Sequence, residues 1–518
     1  VNPIVITLVV LAAAVALFVW NKLPVGVVAI GVALALALTG VLDYNQALAG
    51  FGDPIIVLIA ALFIVSEGLD ATGVTTWAGQ QLIDRAGTNP RKLTLLVMLL
   101  VAILSALISV NGAVAALLPM VVVLAVRIRQ PASKMLIPLA FGAHAGSLLV
   151  LTGSPVSVLI NEFIADAGAE PVPFFGFSLV GIPVLLGTVL IVVLLGPRLL
   201  PTRTPASATK DLSTHAMTLV TQYSLDDEAA GITRDYGLTE VVVPPRSDFI
   251  GEEVFPGMVT DSGELVVVAI QRGGEDLGRT TLQAGDIMLL RGTWSALVSN
   301  TRDPNVLVVD APQSVRRQAA PLGLAAKKAV VILLGMVVLL ATGIVPPAIA
   351  ALIAAVAMVV LRVITVNQAH RSISWTTLVL VGGMIPLSTA IQVSGTADLI
   401  AEGIVAALGT ASPFILLLGV SLVTVVLGQL ISNTATALIL APIAIAIASE
   451  TGISPVPLLM AVAVAAAASF LTPVATPANT MVFGPGGYRF GDYWKLGLPL
   501  VLLFVAVATF LVPVFWPF

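Results

Sequence analysis

Two stretches decide how this chain is read: Leu107-Ile108-Ser109-Val110-Asn111-Gly112 and Leu430-Ile431-Ser432-Asn433-Thr434. Each interrupts an apolar block, 93–126 and 413–448, too long for one membrane crossing, for which ~20 residues suffice. Polar backbone at membrane depth is tolerated only where it is buried in protein or lines a cavity, so both blocks read as re-entrant hairpins whose tips sit at a site. The two are also in register. Leu107-Ile108-Ser109 precedes Pro119 as Leu430-Ile431-Ser432 precedes Pro442, and downstream Ser154-Pro155-Val156-Ser157 parallels Thr476-Pro477-Ala478-Asn479. The offset is ~322 residues at both places, an internal symmetry of the kind that transporter folds show.

Around the hairpins the chain is apolar almost throughout. Of 518 residues, 58% are hydrophobic and 10% charged, and mean hydropathy is +1.06. A water-soluble surface cannot be built from that composition, which excludes a soluble enzyme on a single anchor. Span-length stretches fall at 3–20, 24–42, 54–72, 134–165 and 177–199, and again at 327–343, 345–362, 376–393, 455–486 and 496–516. The first is read as a span, because it lacks the basic start of a signal peptide and runs straight into the second; whether a segment precedes Val1 stays open. Five spans per half is an odd number, so the second half enters from the opposite side and the repeats are inverted. With the N-terminus outside, Lys22, Arg85, Arg91, Lys92, Arg127, Arg129, Lys134, Arg198, Arg203, Lys327, Lys328, Arg362, Arg371, Arg489 and Lys495 all fall inside. The loops assigned outside, 43–53, 166–175, 394–412 and 449–454, hold no Lys or Arg, as the positive-inside rule requires.

The expected fold is therefore an α-helical polytopic membrane protein of two inverted repeats, 1–203 and 327–518, each of five spans plus one re-entrant hairpin. Both termini of the chain lie outside, and the setting is the cell inner (plasma) membrane. Between the repeats, 204–326 has ordinary soluble composition and reads as a small α+β cytoplasmic domain. Strands are expected at 239–243, 265–271, 286–290 and 306–309, with turns at Pro244-Pro245, Gly273-Gly274, Gly285-Asp286 and Asp303-Pro304. Short helices are expected at 249–254 and 294–299, and a helical or loose connector at 210–235.

The breaks supply Ser, Thr and Asn in otherwise apolar segments. Isolated, such residues usually glue membrane helices together. Paired with Thr/Ser-Pro breaks in both halves, they assemble hydroxyls, amides, freed carbonyls and half-helix N-termini, which can hold an anion and Na+ near the midplane. The absence of cysteine and the wide spacing of His144, His215 and His370 leave no Cys-ligated or local histidine metal motif. A net charge of -4 gives no footprint for nucleic acid.

Ser432-Asn433-Thr434, with Ala475-Thr476-Pro477-Ala478-Asn479 and Phe483-Gly484-Pro485-Gly486-Gly487-Tyr488-Arg489-Phe490, resembles the divalent-anion:sodium symporter (DASS) family, the sodium-dicarboxylate and sodium-sulfate symporters. The resemblance covers both membrane halves. It implies one anion and two Na+ ions bracketed by two hairpin tips, moved by an elevator-like displacement. The anion would be met by Ser109, Asn111, Gly112, Ser154, Ser432, Asn433, Thr434, Thr476 and Pro477. Sodium would be met by Ser109, Asn111, Gly153 and Ser157 in the first half, and by Ser432, Asn433, Ala475 and Asn479 in the second. The second half departs from the family pattern only at Ala478, where Pro is usual. The first half reads Ser109-Val110-Asn111 for Ser-Asn-Thr, and Val156 and Ser157 for Pro and Asn.

The insert resembles the RCK-C (TrkA-C) module of potassium-uptake regulators through Glu240-Val241-Val242-Val243-Pro244-Pro245-Arg246-Ser247, Ile250-Gly251, Val267-Val268-Ala269-Ile270-Gln271-Arg272 and Thr281-Leu282-Gln283-Ala284-Gly285-Asp286. This implies a homodimer and a nucleotide ligand for the cytoplasmic domain, and by analogy it tilts the substrate toward sulfate. A sodium-coupled dicarboxylate symporter is the alternative. Glu67, Asp70, Glu162 and His144, ionisable within spans, keep a proton-coupled transporter or antiporter open. A ligand-gated channel lacks any ring of charged pore residues or carbonyl filter, and an enzyme lacks a paired acid and base.

Overall fold

The computed structural model describes residues 2–20, 22–75, 77–78, 81, 89–127, 130–203, 236–260, 262–301, 303–309, 323–408 and 412–518. They form two compact units, one of Val1–Asp70, Ala78–Ala208 and Lys328–Phe518, the other of Ala71–Trp77 and Thr209–Lys327.

In the first unit the first half runs α1 (Pro3–Trp20), α2 (Val25–Leu38), α3 (Tyr44–Ala49), α4 (Pro54–Ala71), α5 (Pro90–Leu107), α6 (Val110–Arg127), α7 (Leu136–Gly146), α8 (Pro155–Asp166) and α9 (Ser178–Leu199). The second half repeats the order, with α14 in addition among the described residues. It runs α10 (Leu324–Thr342), α11 (Pro347–Val360), α12 (Val366–Ser372), α13 (Trp375–Val393), α14 (Thr396–Leu408), α15 (Pro413–Leu430), α16 (Asn433–Thr451), α17 (Pro455–Ala466), α18 (Pro477–Phe483) and α19 (Tyr493–Ala506). Among the described residues, nine helices are long and apolar enough to cross a membrane.

Apolar residues cover both faces of these helices, as lipid requires. Along α9, Val180, Val184, Thr188 and Val192 are buried, while Leu179, Ile182, Leu186, Leu190 and Leu194 are exposed one helical face away. The stretches 134–165 and 455–486, read from sequence as spans with a Pro break, are each two helices joined by irregular chain. Glycine makes the breaks packable: a Cβ at Gly181 would collide with Leu148 O, and one at Gly497 with Phe470 O, the same contact in each half. The short helices α3 and α12 were not read from the sequence. Their signal was a capping box in each half, Asp43 with Gln46 and Thr365 with Gln368.

The halves are fastened just beyond the last helix of the first, α9. Tyr488 Oη donates to Ser133 O at 2.6 Å and accepts from Ile137 N at 3.0 Å. Ser133 Oγ donates to Pro201 O at 2.7 Å, and Arg203 pairs with Asp492 at 2.8 Å while donating to Gly487 O at 3.0 Å.

The second unit holds an antiparallel five-stranded sheet in the order β4-β3-β6-β1-β7. Its strands are β1 (Tyr236–Val242), β3 (Leu265–Arg272), β4 (Glu275–Leu277), β6 (Ile287–Thr293) and β7 (Leu307–Val308); β2 (Glu253–Val254) pairs separately with β5 (Thr280–Thr281). Val241, Val267, Ile270 and Leu290 pack under the helix Trp294–Asn300 through Trp294 and Leu297. The helix expected at 249–254 is instead turn followed by β2: Gly251 sits at φ +99°, outside helical space, and Val254 pairs with Thr280. The connector at 210–235 lies outside the described residues. Arg272 donates twice to Asp286 at 2.7 Å, and that hydrogen bonding holds the Asp286 carboxyl below its usual range.

Candidate functional site

Each predicted break starts a helix with a hydroxyl on the first free N–H groups. Ser109 Oγ accepts from Gly112 N at 3.1 Å, Ser154 Oγ from Val156 N at 3.2 Å, Ser432 Oγ from Ala435 N at 3.2 Å and Thr476 Oγ1 from Asn479 N at 3.3 Å. A cap satisfies one of the four orphan donors of a helix start; the others, with the helix dipole, favour a negative group at the long arms α6 and α16.

The second-half break is wired by side chains. Ser469 Oγ donates to Asn433 Oδ1 at 2.7 Å. Asn479 Nδ2 donates to Ser469 O at 2.7 Å and Thr472 O at 3.1 Å. Gln429 holds the same strand of irregular chain, donating to Ala468 O at 2.9 Å and accepting from Leu471 N at 3.0 Å. These bonds supply partners to backbone that no helix can satisfy. The predicted sodium residues Asn433 and Asn479 are thus joined through Ser469, which sequence reading missed together with Gln429 and Thr472. Their signal was plain enough, uncharged polar side chains within apolar runs.

Asn479 is fully buried, and its Oδ1 meets no donor at good hydrogen-bonding geometry, the His144 side chain being the polar group beside it; buried Thr472 Oγ1 nearby in the chain makes no hydrogen bond. An orphaned buried acceptor is costly, and oxygen acceptors are what a hard cation binds. Among the described residues no group of three or more His, Asp or Glu is placed to hold a metal ion, so a cation here would rest on neutral oxygens. Ala475 is buried beside them in sequence, Ser432 and Thr434 are half-buried, and Pro477 is exposed.

The first half brings less together. Asn111 is exposed. Ser157 is buried with its Oγ unpartnered, and Gly153 lies so close to Ser147 O that a Cβ would collide with it. A Cβ at Gly112 would come within 3.1 Å of both Ser109 Oγ and Ser66 Oγ.

The two halves meet at His144, 3% exposed. Its Nε2 lies 3.0 Å from Thr476 Oγ1, its ring stands edge-on to Phe470, and Phe470 in turn meets Phe141 at 4.8 Å. His144 also lies beside Asn479. Helix α6 packs on α18, and α8 on α16 and α17, so each half's broken helix lies against the other half's hairpin arm.

The profile of the citrate transporter family, CitMHS, matches residues 15–438 and 403–518. The chain belongs to that family. The transporter YfbS of Escherichia coli K12, itself described as uncharacterized, is 31% identical over 98% of this chain and 98% of its own length. The sodium-dependent dicarboxylate transporter SdcS of Staphylococcus saprophyticus is 28% identical, over 28% of this chain and 29% of its own. Among solved structures, the YdaH transporter of Alcanivorax borkumensis superposes over 97% of this chain and 98% of its own with a TM-score of 0.52 at 15% identity, which is a likeness of fold. The citrate transporter family and its relatives are membrane transporters, and the helix breaks described above lie in that setting.

Proposed function

We propose that the chain is a sodium-coupled symporter of a small divalent anion, of the DASS type. One observation carries this: the breaks 109–112, 147–157, 432–434 and 469–479 contain no Lys or Arg, yet Thr472 Oγ1 and Ser157 Oγ are buried without partners and Asn479 Oδ1 has beside it only the His144 side chain, outside good hydrogen-bonding geometry. A double negative charge brought to membrane depth against neutral dipoles alone is strongly unfavourable. Cations on the orphaned oxygens offset it, which makes cation and anion loading interdependent. Sodium would bind at Ser432, Asn433, Ala475 and Asn479, more weakly at Ser109, Asn111, Gly153 and Ser157. The anion would lie between the tips, against Ser109, Asn111, Gly112 and Ser154 on one side and Ser432, Asn433, Thr434, Thr476 and Pro477 on the other. The sodium dependence named for SdcS supports the cation.

Sulfate is the proposed anion. A tetrahedral oxyanion needs one converging set of donors, whereas a dicarboxylate needs two; the exposed Asn111 leaves the first-half set poor. Dicarboxylate transport is the second reading, favoured by the substrate named for SdcS, and the citrate named for the family is likewise a carboxylate, with three carboxyl groups. Residues 204–326 would lie in the cytoplasm as an RCK-C-like domain that pairs in a homodimer and takes a nucleotide, with both chain termini outside.

The test is radiolabelled anion uptake into proteoliposomes. Uptake should collapse when choline replaces Na+ at fixed pH, and counterflow should be present, as it is not for a channel. Equal uptake in choline under a pH gradient would sink sodium coupling. In a competition series of sulfate, thiosulfate, molybdate, succinate, malate and citrate, competition by succinate alone would overturn sulfate.

A further inference from the structure

A cavity of about 120 Å³ opens between the two halves, lined by Asp53, Glu162, Asp166, Ser388, Thr389 and Gln392, with Leu159 of α8 and Leu438 of α16 in its apolar wall; none of the residues at the breaks lines it. Asp53 immediately precedes α4, Asp166 is the last residue of α8, and Gln392 lies next to the end of α13. The alternation of spans places these three ends on one side of the membrane, the side whose loops 43–53, 166–175 and 394–412 contain no Lys or Arg.

Three carboxylates line the cavity, and among the described residues none of them has a basic partner. Asp53 commits one oxygen to Ile55 N at 2.8 Å. A second observation is independent of the acids. Ser388 is 4% exposed, lines the same cavity, and its Oγ makes no hydrogen bond. A serine inside a membrane helix ordinarily returns its hydroxyl to the preceding turn. Its neighbour Thr389 does so, donating to Ile385 O at 3.2 Å, and Ser388 does not. The cavity thus gathers three carboxyl groups, offers an unclaimed neutral oxygen, and receives no counter-charge from the described residues. The carboxylates are not placed to close directly on one metal ion, so the occupant keeps part of its water.

We infer that the Asp53–Glu162–Ser388 cavity binds a partly hydrated monovalent cation, Na+ foremost, at a site separate from the sodium sites proposed at the helix breaks. This adds a cation to the symport reading without depending on it, because the site would fill whether or not the cation at Asn433 drives transport. The cavity joins α8 of the first half to α13 of the second, so a bound cation would bridge the two and screen the acidic mouth from an arriving anion.

Equilibrium binding of ²²Na+ to the purified full-length protein at one alkaline pH, without anion, tests it. Glu162→Gln should remove one bound equivalent that Asn433→Ala leaves in place, and Ser388→Ala should weaken that equivalent about tenfold. Bound Na+ unchanged in Glu162→Gln overturns the inference. If Glu162→Gln does not fold, Ser388→Ala decides alone, and an unchanged binding curve is then the refuting result. Loss of Na+-driven uptake with this equivalent retained, or the reverse, tells failure of one site from failure of the other.

Discussion

Asn433 and Asn111 carry the same amide at the start of corresponding hairpin arms, yet they end up in different places. Asn433 is the first residue of α16, after the cap Ser432; Asn111 is the second of α6, after Ser109 and Val110. One residue of helix is about 100° of rotation. Asn433 therefore meets Ser469, while Asn111 is exposed and Ser147, the counterpart of Ser469, bonds to His144 O instead. The same loss recurs along the break. Where the second half has Gln429, Thr472 and Asn479, the first has Ala106, Val150 and Ser157. Backbone plan and hydroxyl caps survive in both halves because they hold the break together; the amides that would hold a cation survive in one. Two inverted repeats can share a fold and divide the chemistry unequally.

The largest expected effect would break this comparison if absent. Asn433→Ala should lower Na+-driven uptake about 100-fold, whereas Asn111→Ala should change it less than about threefold; equal losses in folded protein would mean that the halves contribute alike. Next, Asn479→Ser, which copies the first half into the second, should raise the Na+ concentration for half-maximal uptake roughly tenfold. His144→Ala removes the bond that holds Thr476 from across the repeat, and the anion KM should rise about fivefold with Na+ dependence kept; loss of Na+ dependence instead would give His144 a part in coupling. The exchange Val110→Asn with Asn111→Val restores the register of the first tip, and the Na+ Hill coefficient should rise, since Ser147 then has an amide in reach. An unchanged coefficient would show that register alone does not cost the first half its cation.

The smallest effect lies outside the membrane halves. With its carboxyl held below the ordinary value of 3.8, Asp286 contributes stability that is present above that value and lost as pH falls through the lower, folded one. Acid titration of the full-length protein should show the insert's unfolding flattened with pH in Asp286→Asn, with anion uptake at neutral pH unchanged.

What the sequence made legible was local. Long apolar runs, the Ser-Pro and Thr-Pro starts at Ser154 and Thr476, and the polar tips at Ser109 and Ser432 announce helices and their interruptions, because caps and prolines act within a turn. The strands expected at 265–271 and 286–290, bounded by the turn residues Gly273-Gly274 and Gly285-Asp286, lie at Leu265–Arg272 and Ile287–Thr293; turn residues too act locally. Contacts across the repeat were not: His144 and Thr476 are 332 residues apart, and nothing in either segment alone pairs them. The register of Asn111 was visible as a one-place shift, but its consequence needs the helix phase set by the Ser109 cap.

The hydrogen bonds of Tyr488 to Ser133 and Ile137, and the pairing of Arg203 with Asp492, bear on whether the peptide chain has to be continuous at all. They bind the end of the first half to the second without using the residues that join them in sequence, and α2 packs on α13 and α9 on α19 besides. Such halves are candidates for complementation: segments 1–203 and 323–518, synthesised as two separate polypeptides, should find one another in the bilayer and reconstitute a carrier whose two genes could then be mutated, labelled or titrated independently.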